Sequence, residues 1–166
     1  MNYGDLKLKG FTHFNDPEMF KYLKWYYRCP MVPYETVYYP IFYYPIGRML
    51  IRLTQRLIKN KYVPFRSTMG NCDAWKGVDL NTDRWHNDSI EGSNTAFLLY
   101  LTDTSEETGG GIQFRELGVD KVYTVYPKKY DIIAIDQSEK FQHRVIRLKK
   151  PINRFIANIE FNILES

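Results

Sequence analysis

The chain has little cysteine. Cys29 and Cys72 are the only two among 166 residues, with no C-x-x-C pair and no dense framework, so a disulfide-stapled fold and a zinc-ribbon site are both excluded. Two free thiols in a reducing compartment are expected. The sequence also lacks a run of about 18 apolar residues, and Met1-Asn2-Tyr3-Gly4-Asp5 offers no basic region followed by an apolar stretch. A soluble, cytoplasmic protein without a membrane partner follows as the expectation. An excess of one charge sign is small as well: 23 basic residues face 19 acidic ones for a net +4, short of the bias of a dedicated nucleic-acid binder. Nucleic acid is therefore not an expected partner, and oligomeric state is left open.

The length suits one domain, residues 1–166, able to bury a core without staples. Its first part, residues 1–62, reads as helical support plus an aromatic segment. Leu6 to Phe14 reads as a short extended piece. Asn15-Asp16-Pro17-Glu18 then supplies a cap and a first-turn proline for a helix running to about Arg28. Met19, Phe20, Leu23, Tyr26 and Tyr27 recur at helical spacing, which marks a core-facing stripe; His13, just before, reads as an ordinary residue. Between Tyr34 and Ile46, Val37-Tyr38-Tyr39-Pro40-Ile41 is nearly repeated by Phe42-Tyr43-Tyr44-Pro45-Ile46. Prolines so close exclude helix. The segment is either a loop pinned by its rings or a substrate-facing wall in which Tyr38 and Tyr43 supply rigid, polar-tipped area. Gly47 to Asn60 reads as a second helix, with Met49, Leu50, Leu53, Leu57 and Ile58 on one side and Arg48, Arg52, Arg56 and Lys59 mostly on the other.

After Asn60 the period shortens from 3.6 to 2. Extended runs are expected near 63–69, 84–88, 95–102, 112–115, 122–126, 131–136, 142–148 and 153–163, a spacing that suggests a two-sheet roll. The turn-rich loop from Gly70 to Asp83 offers oxygens at odd positions but lacks the closing glutamate of a calcium loop. It reads as a lip before the next strand. The unbroken apolar run from Thr95 to Thr102 predicts burial on both faces, with Tyr100 as its polar exception. Thr108-Gly109-Gly110-Gly111 predicts a turn at positive φ, or backbone passing close to a ligand.

The chemistry concentrates in Trp85-His86-Asn87-Asp88. On an extended strand His86 and Asp88, two apart, leave the same face and can grip one ion. His143, in Phe141-Gln142-His143-Arg144-Val145, would complete two imidazoles and a carboxylate, the facial set that holds non-haem Fe(II) and keeps coordination positions open. Arg154 follows eleven positions later, and Arg154, Ile156, Asn158 and Glu160 share one strand face. If that face is inward, the arginine needs an anion, and a dicarboxylate suits its planar fork. The bland counterpart is a surface ion pair.

H-x-D, a distant H-R-V and an arginine shortly after resemble the Fe(II)/2-oxoglutarate-dependent dioxygenases. Gly109-Gly110-Gly111-Ile112-Gln113-Phe114 is similar to their prolyl-4-hydroxylase-like branch. The match covers about residues 63–163. The resemblance implies a double-stranded β-helix, a jelly roll of two antiparallel sheets, with the helices of residues 1–62 supporting it. It also implies Fe(II) on His86, Asp88 and His143, 2-oxoglutarate as cosubstrate on Arg154 with help from Tyr100 and Asn158, and molecular oxygen. Many relatives carry a small hydroxyl residue where this chain has Ile156, so part of the cosubstrate contact must come from elsewhere. Asp88 favours hydroxylation of a C–H bond, since relatives that halogenate lack that carboxylate. The branch suggests a prolyl or other side chain of a peptide or protein, while similar domains act on small molecules; Trp85 and Arg144 are further substrate-facing candidates. Two other readings fit the same pattern: a cupin-like metal- or sugar-binding roll, and a non-catalytic interaction module.

Overall fold

A computed structural model describes residues 3–20, 37–39, 62–72, 84–89, 91–150 and 154–164. In chain order the described elements are α1 (Tyr3–Lys9), β1 (Phe11–Asn15), α2 (Pro17–Phe20), β2 (Val37–Tyr39), β3 (Tyr62–Cys72), β4 (Thr95–Tyr100), β5 (Ile112–Glu116), β6 (Val122–Val125), β7 (Asp131–Asp136), β8 (Phe141–Val145) and β9 (Arg154–Ile163). The strands form a six-stranded sheet in the order β1-β7-β4-β9-β3-β2 and a three-stranded sheet in the order β6-β5-β8. All pairings within them are antiparallel. This is the expected double-stranded β-helix.

Strand alternation builds the space between the sheets. In β4, Ala96, Leu98 and Tyr100 stand opposite Glu160, Asn158 and Ile156 of β9, and directly opposed residues share a face. Ala96 and Leu98 also oppose Ile135 and Ile133 of β7. These side chains meet Ile112 and Phe114 of the smaller sheet, with Tyr123 and Val125 packed alongside. Phe11 reaches in from β1 and stacks on Phe114 at 4.2 Å. Burying each such ring contributes about 1.5–3 kcal/mol. The other face of β4 is buried as well: Phe97 and Leu99 are fully covered, and Phe97 meets Phe161 edge-on at 5.4 Å. Burial on both sides is what the unbroken apolar run predicted.

The N-terminal reading needs correction. Where an extended piece was expected from Leu6, residues Tyr3–Lys9 form a helix, tied by a Lys9–Asp5 ion pair at 3.2 Å. Buried Leu6 anchors it. Gly10, at φ +77°, ends it by donating its N–H to the Leu6 carbonyl, the usual left-handed helix stop. The strand begins only afterwards, at Phe11. The helix expected from Pro17 is described to Phe20; its remainder, the helix expected over 47–60 and Tyr43 lie outside the described residues. Within the aromatic segment Val37–Tyr39 forms an edge strand on β3, with Tyr38 opposite Thr68. Of the lip expected over 70–83, Gly70–Cys72 belong to β3, and the rest lies outside the described residues.

The glycine turn resolves toward chain packing. Gly109 and Gly110 lie at φ +74° and +76°, and a Cβ on Gly109 would stand 2.1 Å from the Arg147 carbonyl oxygen. Gly110 donates to the Ile146 carbonyl and Ile146 donates to that of Gly111. The glycines therefore let the connection between β4 and β5 lie against the chain leaving β8. Among the described residues no helix is long and apolar enough to cross a membrane.

Candidate metal centre

The site is set by one pair of backbone hydrogen bonds. His86 donates its N–H to the His143 carbonyl at 3.0 Å and His143 returns the bond at 2.9 Å, an isolated antiparallel bridge on the free side of β8. A pair exchanging both bonds puts its side chains on one face. Accordingly the two imidazoles lie 4.4 Å apart between centroids. On β8 the buried residues are Phe141 and His143, so that face is the inward one. His143 stands opposite Phe114, whose ring is 6.2 Å away, and core packing thus fixes the imidazole.

Asp88, two residues beyond His86, returns to the same side. Its Oδ2 lies 3.3 Å from His143 Nε2 and its Oδ1 3.7 Å from His86 Nε2. The three donor atoms fall within 4.8 Å of one another. Donors bound at about 2.1 Å and at right angles stand about 3 Å apart, so the set fits a divalent ion after slight closure. Protonation supports the fit: His86 Nδ1 sits 3.0 Å from the Arg84 carbonyl oxygen, which can only accept. Nδ1 is therefore the donating nitrogen, and Nε2, on the side of Asp88, is the one placed to meet a metal. Side-chain exposure rises from 8% at His143 through 25% at His86 to 40% at Asp88. The site is closed by the core on one side and open at the sheet edge on the other. Among the described residues no fourth histidine, cysteine or carboxylate joins the group.

The other expected residues divide. Tyr100 is fully buried in the inner cluster, opposite Ile156. Asn158 is inward too: its Nδ2 donates to Glu160 Oε1 at 2.9 Å, while its buried Oδ1 has no hydrogen-bond partner. Arg154 opens β9 opposite Cys72. Trp85 and Arg144 do not join the metal group. They alternate with His86 and His143 and project from the opposite, outer face of the small sheet, where the Arg144 guanidinium lies 4.7 Å from the Trp85 ring centroid. Sequence reading passed over their companions on that face, Gln113, Arg115 and Gln142, although period-two alternation with Ile112, Phe114 and Phe141 marks them as outward. It also passed over Phe114 as the ring that backs His143.

Away from the metal group, Asp131 is buried at the β1–β7 edge. It accepts from Asn15 Nδ2 at 2.8 Å, His13 Nε2 at 2.8 Å and the Lys128 amide at 2.7 Å. Burial alone would raise its pKa, but the bonds from Asn15, Lys128 and His13 together outweigh it and lower the value.

No protein-family model matches the chain, and no curated protein matches it either. Solved structures do. An oxidoreductase of the 2OG-Fe(II) oxygenase family from Burkholderia pseudomallei superposes with a TM-score of 0.68 at 12% identity, covering 96% of this chain and 87% of that one. A prolyl hydroxylase from Trichoplax adhaerens, in complex with a hypoxia inducible factor oxygen degradation domain peptide fragment, gives 0.65 at 13% over 95% and 86%. The non-heme alpha ketoglutarate dependent epimerase SnoN from nogalamycin biosynthesis gives 0.67 at 12% over 95% and 80%. At such identities the likeness establishes the fold. The chain has the double-stranded β-helix of these 2-oxoglutarate and iron oxygenases.

Proposed function

We propose that the chain, as one domain over residues 1–166 with its roll at 63–163, is an Fe(II)- and 2-oxoglutarate-dependent oxygenase that hydroxylates a substrate C–H bond. The observation that carries this reading is the convergence of His86, Asp88 and His143 within 4.8 Å, on the inward side of the small sheet of this fold. Fe(II) held there, with 2-oxoglutarate and dioxygen, would supply an oxidant able to take hydrogen from a C–H bond and would leave succinate and carbon dioxide.

The residues have distinct tasks. His143 and Phe114 form the rigid wall of the site. His86 offers Nε2 because its Nδ1 proton is engaged by the Arg84 carbonyl. Asp88, the most exposed of the three, brings the negative charge that a divalent cation needs. Arg154 is assigned the distal carboxylate of the cosubstrate, a pairing that its planar fork makes bidentate. Tyr100 and Asn158 lie farther along the same strand pair and are assigned to the cosubstrate's other contacts. The buried apolar cluster behind them keeps water from the reacting end.

For the substrate we favour a prolyl or other side chain of a peptide or protein. The peptide-bound Trichoplax enzyme supports that choice, while the epimerase shows that the fold also serves other reactions. The deciding experiment adds Fe(II) and then 2-oxoglutarate to the anaerobic protein. A charge-transfer absorption that appears only with 2-oxoglutarate, followed by succinate release in air across a panel of peptides and small molecules, is the expected result. Iron binding with no response to 2-oxoglutarate would point to a cupin-like roll, and no iron binding to an interaction module.

A further inference from the structure

The segment carrying His86 and Asp88 is weakly tied to the sheet that positions it. Among the described residues, the only backbone ladder bonds joining 84–89 to β8 are the two exchanged by His86 and His143. A single bridge at a sheet edge opens readily, and it carries His86, with Asp88 two residues beyond it. On the reverse of that bridge Trp85 is gripped by two cations. Its ring centroid lies 4.3 Å from the Arg115 guanidinium carbon and 4.7 Å from that of Arg144, inside the range of cation–π attraction.

Both cations are fixed in turn by reciprocal cross-strand pairs. The register sets Gln113 of β5 opposite Arg144 of β8, and Arg115 of β5 opposite Gln142 of β8. Arg144 Nε donates to Gln113 Oε1 at 2.7 Å. Arg115 donates to Gln142 Oε1 through Nε at 3.0 Å and Nη2 at 2.6 Å. Gln113 is itself held, its Nε2 donating to Thr124 Oγ1 of β6 at 3.0 Å. No carboxylate of the described residues pairs with either guanidinium. Two like charges held near one ring without a counter-ion are an unfavourable arrangement unless the ring and the amides hold them. The lattice spans all three strands of the small sheet and ends on the residue next to His86.

We propose that Trp85, clamped by Arg115 and Arg144, is a positioning residue that holds His86 and Asp88 in register with His143. The clamp replaces the ladder that the 84–89 segment lacks. It acts from the outer face, so it secures the donors without occupying the coordination side. The inference rests on the metal reading of the triad, and its test separates the two.

The test uses Trp85→Ala and Trp85→Phe in the full chain. Without metal, amide hydrogen exchange followed by NMR should show the His86 N–H exchanging about tenfold faster or more in Trp85→Ala, with Ile133 and Phe97 amides unchanged and most protection restored in Trp85→Phe. Anaerobic Fe(II) titration should show affinity falling about 10- to 100-fold in Trp85→Ala, the range seen when outer partners of metal ligands are lost. If Trp85→Ala fails to fold, Arg144→Gln tests the same clamp with the ring in place, and the same His86-selective change is expected. Unchanged His86 exchange, acceleration spread equally over β4 and β7, or unaltered Fe(II) affinity beside faster exchange would each overturn the positioning role. A wild-type protein that binds no Fe(II) would instead overturn the metal reading, whatever the exchange data show.

Discussion

Replacing Asp131 with asparagine should cost about 2–4 kcal/mol at neutral pH, and the cost should shrink in acid. The magnitude follows from the donors around the carboxylate. His13 and the Lys128 amide both point at Oδ2, and Asn15 Nδ2 points at Oδ1. An asparagine keeps more bonds by placing its oxygen toward His13 and Lys128, which leaves its NH2 facing the Asn15 amide. A buried donor left without an acceptor costs about 1–3 kcal/mol, and the two retained bonds lose charge assistance worth about 1 kcal/mol together. The sign of the pH effect follows from the lowered carboxyl. A depressed value contributes stability above the unfolded value of 3.8, and that stability is lost as pH falls from there through the folded value. Urea unfolding of both proteins at several pH values between about 7 and 3, analysed by linear extrapolation, should show curves that converge below about pH 4. A difference that stays constant over that range, or none at pH 7, would refute the account.

His86→Ala, Asp88→Ala and His143→Ala should each abolish most Fe(II) binding and succinate formation while leaving the melting transition largely in place; near wild-type turnover in any one would remove that residue from the ligand set. Arg154→Ala should weaken 2-oxoglutarate by roughly 30-fold or more and iron far less, since losing one partner of a buried charge pair costs about 2–5 kcal/mol. Cosubstrate affinity left intact would shift the role to Arg66 or Arg147, because Arg144 lies on the outer face against Trp85. Tyr38→Ala combined with Tyr43→Ala should lower substrate turnover more than uncoupled 2-oxoglutarate decay. Equal losses in the two activities, or a lowered melting temperature alone, would show that the segment only packs.

Strands after residue 60 were legible because their apolar residues recur at period two or run unbroken. β7 reads Asp131-Ile132-Ile133-Ala134-Ile135-Asp136 and is buried at all six positions. β4 likewise announced burial on both faces. Helix α1 was not legible, since it has only seven residues, too few for a period of 3.6 to stand out. Its one strong signal, Gly10 as a stop, lies between residues that also suit a strand. The Asp131 network escaped for a different cause: Asn15 and Asp131 are 116 positions apart, and pattern along the chain carries no trace of such a pairing.

At the metal group the donors converge without the regular strand that the H-x-D spacing implied. H-x-D was read as two side chains leaving one face of a strand over 84–88, whereas only His86 there makes a bridge. The donors still converge because the single bridge fixes the face of His86, and the chain needs only to return Asp88 to that side two residues later. A continuous ladder would have fixed both residues more firmly. Irregular backbone from Asn87 onward lets the carboxylate approach both imidazoles, at 3.3 and 3.7 Å, and leaves the outer face to supply the rigidity that the inner one gives up. Alternation also sets the direction of their neighbours: Trp85 and Arg144 adjoin the metal donors in sequence, and for that reason point away from them in space.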